Sequence, residues 1–317
     1  MLAPDNMENV SVERSDDALL TKPIVIVGAG RSGMSFLGEL LDRYGSLAVI
    51  EEPRLTWKYG NDHKSDMLHP EDARPDVIAH IRSTFAMLIR KQGKQRLVDV
   101  TPGTSLRLGF VDRVFPDCRF VHLIRDGIDN VLGMRRFYAV TARRIILYGG
   151  YKGPRSLRKI RLMERLREAR LRQVPYYAME VVRRVIPEPL LPLVGPPVVG
   201  ARLPGMVAMR REMDLLEVCF WQWRACVELA CHYGRRLPAD RYMECRIEDL
   251  SPEVVKSVLA FCELDDNPAV FEYLEKRLDS KRLRAPKQDA DPEELARLKQ
   301  WVEPTMQWLS SPVSPGT

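Results

Sequence analysis

With 317 residues, 45% hydrophobic and 29% charged side chains and a net charge of +6, the chain has the make-up of a globular protein with a sizeable core. No apolar run reaches membrane-spanning length, no hydrophobic signal segment opens the sequence and no repeat occupies it, which excludes a multi-span membrane protein and a solenoid. The six cysteines include no C-x-x-C pair and read as reduced core residues, so the expected compartment is the cytoplasm.

In chain order, residues 1–21 are polar and acidic and are expected to form a loosely attached segment, while 22–317 read as one domain. Strands are predicted near 24–28, 47–50, 97–100, 119–124 and 241–245. Helices are predicted at 33–44, 72–92, 104–114, 126–136, 155–172, 212–235, 251–264, 268–277 and 292–309. Strands that alternate with helices imply an α/β fold, a parallel sheet with helices on both faces.

The first strand, Ile24 to Val27, runs into Gly28-Ala29-Gly30-Arg31-Ser32-Gly33-Met34-Ser35, a glycine turn that opens a helix. Such a turn suits an anion, because its backbone passes close to the ligand and the first helical N–H groups point at it. Three templates fit. Gly28, Gly30 and Gly33 satisfy the dinucleotide pattern, with Glu51 and Glu52 after the next strand in the place of a ribose-binding acid, so a flavin or NAD(P) oxidoreductase is an alternative. Gly28, Gly33 and Ser35 fit the Walker pattern except that Met34 holds its lysine position, which disfavours an ordinary ATPase. The third template is a phosphosulfate loop, in which Arg31 meets a compact anion and Ser32 and Ser35 add donors.

Farther on, Arg119 to Ile124 is a buried strand that empties into Arg125-Asp126-Gly127, and an arginine there sits where open α/β sheets bind ligands. A nucleotide with a phosphate away from its reactive end needs such a group, and a dinucleotide does not. A structural pairing of Arg125 with Asp126 or Asp129 is the plainer reading.

Four blocks, Gly30 to Gly33, Glu51-Glu52-Pro53-Arg54, Phe115-Pro116 with Leu123 to Gly127, and Arg241 to Leu250, are similar in order and spacing to the sulfotransferases that use 3′-phosphoadenosine 5′-phosphosulfate (PAPS). The likeness is to the branch of bacterial members and tyrosylprotein sulfotransferases. It implies a P-loop-containing nucleotide-binding fold with a helical insertion, and PAPS as co-substrate without a metal. By the same resemblance Gly30, Arg31, Ser32, Gly33, Met34 and Ser35 cradle the 5′-phosphosulfate, and Arg125 holds the 3′-phosphate. Glu52 matches the catalytic base, with Arg31 and Arg54 beside it. A loop carrying Lys281, Arg282 and Arg284 folds over the nucleotide. The chain departs from the pattern at Gly133, where relatives carry a phosphate-binding serine, at Val100, where many carry a lysine, at Gly30, usually proline, and at Met34, usually a hydroxyl residue. A non-catalytic relative that keeps the nucleotide pocket is a further alternative.

Residues 135–212 read as a basic, helical and proline-rich insertion and as the acceptor region; between 135 and 174 stand thirteen Lys and Arg against two Glu. This stretch fits an anionic membrane surface, an acidic polymer or a solvated lid helix. Peripheral membrane attachment is therefore one expectation, nucleic acid is not an expected partner, and the class of acceptor is open. Pro187 to Pro197 read as a rigid connection. His63 and His69 read as surface residues, Glu248 and Asp249 as helix caps, and Met213, Leu216, Phe220, Trp223 and Val227 as a core stripe.

Overall fold

The computed structural model describes residues 16–141, 173–186, 188–194, 197–278 and 290–310. Among these residues five strands form one sheet: β1 (Ile24–Val27), β2 (Leu47–Glu51), β3 (Arg96–Val100), β4 (Arg119–Ile124) and β5 (Tyr242–Arg246), in the order β2-β3-β1-β4-β5. Every pairing is parallel, with Ile24 opposite Val98 on one side and Arg119 on the other. Parallel strands buried on both faces need continuous apolar runs, and β1 and β4 are buried at every residue.

Among the described residues the helices are α1 (Asp16–Leu19), α2 (Met34–Leu41), α3 (Arg54–Lys58), α4 (Pro75–Lys91), α5 (Leu108–Val114), α6 (Gly127–Thr141), α7 (Val174–Val185), α8 (Leu191–Val194), α9 (Met206–Glu212), α10 (Leu215–Gly234), α11 (Pro252–Phe261), α12 (Pro268–Leu278) and α13 (Pro292–Ser310). The two-residue period of a strand divides them between the faces. Val25, Val27, Leu97 and Phe120 pack with α4 and α5, whereas Ile24, Ile26, Val98 and Val121 pack with α2, α11 and α12. A third cluster joins α6, α10, α13 and residues 198–206 to Ala29 and Ile124, which follow and end their strands. The predicted stripe of α10 supplies Leu216, Phe220, Trp223 and Val227 to it.

Some expectations need correction. The segment expected to be loose through residue 21 is anchored from α1 onward, since Leu19 and Leu20 are buried and Asp16 and Asp17 pair with Arg90 and Arg82. The helix predicted at 104–114 divides into a 3-10 turn, Pro102–Leu106, and α5, because the backbone at Arg107 leaves the helical region, with φ of −150° and ψ of 36°, and its side chain is buried. Within 187–197 the chain coils into a 3-10 turn, Glu188–Leu190, and α8, as prolines in a first turn permit. The predicted helix 155–172 and most of the basic stretch lie outside the described residues, as do Lys281, Arg282 and Arg284. Among the described residues no helix is long and apolar enough to cross a membrane. All six cysteines are free and buried.

Candidate active site

A parallel sheet puts the carboxyl ends of all its strands along one edge, so the turns after β1, β2, β3, β4 and β5 converge there. The chain leaves β1 for β2 and β3 on one side and crosses to β4 on the other, which opens a crevice beyond Val27. The glycine turn fills it.

Three neighbours hold that turn. Ser105, buried in the 3-10 turn after β3, accepts from the Gly28 amide at 2.7 Å and donates to its carbonyl at 3.0 Å. Asn130 Nδ2 donates to the Gly30 carbonyl at 2.6 Å, and Tyr138 closes over Gly30 so tightly that a Cβ there would lie 2.8 Å from its hydroxyl oxygen. That contact explains why this position lacks a ring or side chain. Gly33 has φ of 104° and a Cβ there would meet Ile247 at 2.7 Å, so only glycine fits ahead of α2. No side chain caps α2, which leaves its first-turn amides facing the turn.

Within the turn, Arg31 is exposed with φ of 71°, and its guanidinium carbon lies 5.1 Å from the centre of the Phe137 ring. The Arg125 guanidinium donates to the Arg31 carbonyl at 3.1 Å. Two arginines from adjacent strand ends thus share one patch. Among the described residues Arg125 has no carboxylate partner, so the plainer pairing with Asp126 or Asp129 is not formed. Asp126 instead caps α6 by accepting from the Asp129 amide. Glu248 accepts from the Asp126 amide at 2.8 Å; it does cap a helix start, but that of α6, not of its own following helix, where Ser251 caps α11. Ser32 Oγ is buried and has no hydrogen-bond partner among the described residues. Ser35 is exposed on the first turn of α2, whereas the Met34 side chain is in the core, which leaves only its backbone for a ligand. Val100 is likewise core, packed toward Gly38, and Gly133 lies within α6.

Glu52 is exposed just past β2, with φ of 48° and its amide bonded to the Val100 carbonyl at 3.1 Å. Left-handed backbone at a non-glycine residue costs about 1–3 kcal/mol and collects at working sites. Four non-glycine residues carry it among those described, and two of them are Arg31 and Glu52. Arg54 opens α3 and pairs with buried Asp66 at 3.0 Å. Asp66 also faces Arg107 at 3.7 Å and accepts from the Arg202 amide at 2.8 Å. Burial opposes the Asp66 charge, but Arg54, Arg107, the Arg202 amide and Lys58 hold its carboxyl below the usual range. Lys58, donating to the Lys64 and Ser65 carbonyls, is pushed down to about 7 by burial, against Asp66 and aided by Arg107 and Arg54. Asp99, bonded by Trp57, Thr101 and Thr104, is raised to about 6 by burial.

A model of the sulfotransferase family matches residues 23–181, half of the sequence and every turn described so far except that after β5. The chain belongs to the sulfotransferase family. The chain contains the parallel α/β sheet expected of it, and its strand order sets aside the dinucleotide reading: β3 lies between β1 and β2, whereas a dinucleotide fold sets the ribose acid on the strand beside the glycine loop. Solved structures similar to it include the sulfotransferase domain of the curacin biosynthetic pathway (14% identity, TM-score 0.49, 89% of this chain and 98% of that one). Two more are STF9 of Mycobacterium avium (11%, 0.48, 93% and 79%) and STF1 of Mycobacterium tuberculosis (11%, 0.46, 90% and 77%). No curated protein matches the sulfotransferase by sequence.

Ser105, Asn130, Phe137 and Tyr138 escaped the sequence reading because none belongs to a phosphate motif. The one cue was position, just after Thr101-Pro102 for Ser105 and on the helix following Arg125 for the others. His122, Cys231 and Glu244 also gather, their ligand atoms within 4.8 Å of one another. Tyr242 Oη stands among them, 2.7 Å from His122 Nδ1 and 3.1 Å from Glu244, and Arg235 neutralises Glu244 at 2.7 Å. Burial holds His122 down to about 4 and raises the Cys231 thiol to about 12, as suits a neutral hydrogen-bonded network tying β4 to β5 and α10.

Proposed function

We propose that this sulfotransferase moves the sulfuryl group of PAPS to a hydroxyl or amine of its acceptor. The observation that carries the reading is the shared patch of Arg31 and Arg125 at the uncapped start of α2. The buried Ser32 hydroxyl, without a partner of its own, supports it as a donor awaiting a ligand oxygen. PAPS would supply an activated sulfuryl group on a good phosphate leaving group. Gly30 to Ser35, with Arg31 foremost, would hold the 5′ end, and Arg125 the 3′-phosphate.

In-line transfer of a loosely held group asks of the protein mainly position and charge stabilisation. Arg31 and the α2 amides would stabilise charge that develops on the leaving phosphate. Glu52, exposed at the same sheet edge, would take the acceptor's proton, a contribution of about 10²–10⁴-fold. Arg54, tied to Asp66, would brace the Glu52 turn more than it touches the reacting atoms. The test is transfer of labelled sulfate from PAPS to a panel of phenols, sugars, amines and peptides by wild type and Glu52→Gln. The expected outcome is turnover that falls at least a hundredfold in the variant while nucleotide affinity is kept. Undiminished turnover in the variant removes Glu52 from the base role, and a wild type that binds the nucleotide but sulfates nothing favours the non-catalytic alternative.

A further inference from the structure

A cleft of about 530 Å³ lies between residues 63–72 and 198–208, within the size range of small-molecule sites. Its lining is uneven in charge. Among the described residues of the lining, Lys64 and Asp72 offset each other as an ion pair, which leaves Arg183, whose Nε donates to the Val194 carbonyl at 2.7 Å, and Arg202 as the excess cations beside the imidazoles of His63 and His69. Asp72 is already committed, since it accepts from Lys64 Nζ and from the His69 amide, and those bonds hold its carboxyl below the usual range although burial opposes them. The other side of the cleft is apolar, with Met67, Val198, Leu203 and Met206 reaching it from the third core cluster. His63 and His69 are exposed, as the sequence suggested, yet they are not scattered surface residues, because both face this cleft.

The cleft wall and the Glu52 turn belong to one bonded unit. Asp66 and Arg202 exchange two hydrogen bonds at 2.8 Å, from the Asp66 amide to the Arg202 carbonyl and from the Arg202 amide to Asp66 Oδ2. Asp66 Oδ1 in turn fixes Arg54, two residues after Glu52. On the other flank Gly200 packs against the Tyr138 hydroxyl, which rests on Gly30 of the glycine turn. The cleft is therefore registered to both the donor turn and the base.

We propose that this cleft anchors the acceptor and selects one that carries an anionic group of its own, a carboxylate or a phosphate monoester, on an apolar body. The proposal rests on the sulfuryl-transfer reading for the identity of the ligand as acceptor. Guanidinium groups grip such oxygens in pairs, and the apolar wall takes up the remainder of the molecule.

The test uses the full chain loaded with adenosine 3′,5′-bisphosphate and labelled at its methionine methyl groups. Phenylacetate and phenyl phosphate are titrated in separate arms, with phenylethanol and phenylethylamine as uncharged and cationic counterparts. Saturable shifts of the Met67 and Met206 methyls with either anion, at least tenfold tighter than with its counterparts, are expected, and the tighter arm tells carboxylate from phosphate. Arg202→Gln should weaken the anion at least tenfold; it keeps the backbone amide and carbonyl that bind Asp66, and Arg183→Gln serves as the second variant. Equal response to all four probes, no saturable response, or anion binding unchanged in both variants overturns the proposal. Calorimetry of the bisphosphate on the same samples separates this outcome from failure of the donor reading, since loss of nucleotide binding in wild type would sink that reading alone.

Discussion

Asp66→Asn is the sharpest probe of how the Glu52 turn is built. Asp66 is buried and is the shared counter-charge of Arg54 at 3.0 Å and Arg107 at 3.7 Å, with Lys58 close behind. Removing its charge leaves Asp99 and Tyr177 as the acidic groups acting on the buried Arg107 guanidinium and takes away the carboxylate with which Arg54 pairs. Breaking one partner of a buried ion pair costs about 3–5 kcal/mol because the surviving charge stays desolvated. At about 2 °C per kcal/mol for a chain of this length, the midpoint of thermal unfolding should fall by about 6–10 °C. The turn that Arg54 supports should also lose turnover beyond the loss of folded protein, measured well below the transition. A midpoint within 2 °C of wild type would show that Asp66 does not balance these cations and would refute the reasoning.

Other changes probe the donor turn and the charged interior. Ser105→Ala leaves the buried Gly28 amide and carbonyl without the hydroxyl that serves both, so it should lower stability by about 1–3 kcal/mol and weaken adenosine 3′,5′-bisphosphate in calorimetry; unchanged affinity would show that the turn does not need this support. Gly30→Ala sets a methyl against the Tyr138 hydroxyl at 2.8 Å, an overpacking worth about 1–3 kcal/mol, and should weaken the nucleotide tenfold or more. Adding Tyr138→Phe removes the atom that is struck and should restore part of that affinity; no recovery would place the strain elsewhere. Lys58 has a folded value of about 7, below its ordinary one, so from that pH up to the unfolded value near 10.4 the unfolded chain holds a proton that the folded chain lacks. Its contribution is thus full above the unfolded value and is lost as pH falls through about 7. In chemical denaturation, the stability of wild type minus that of Lys58→Met should rise between pH 6 and 9, and a flat difference would mean that Lys58 stays charged in the fold.

The sheet was legible because β1 is an unbroken apolar run, β3 and β4 are mostly apolar, and each ends at a turn or a charged residue. The glycine turn was legible for a similar reason: its backbone must bend where Gly28 and Gly33 stand, and the chain cannot disguise that. What the sequence did not show is what holds the turn. Ser105 lies seventy-seven positions from Gly28 and Asn130 a hundred from Gly30, and local periodicity carries no signal of such contacts. The same applies to Asp66, Arg107 and Lys58, whose burial is dictated by partners from three separate segments. Short helices such as α3 and α9 escaped as well, since five or seven residues give too little period to recognise. Strand order was beyond reach too, yet it is what separates the two nucleotide readings of Glu51 and Glu52.

The most direct measurement is a calorimetric titration of adenosine 3′,5′-bisphosphate into wild type, Arg31→Ala and Arg125→Ala at fixed ionic strength. Because the Arg125 guanidinium is bonded to the backbone of the turn that carries Arg31, tight binding by wild type, loss of heat with Arg31→Ala and at least tenfold weakening with Arg125→Ala are the predicted results. Equal affinity in all three proteins would contradict the account.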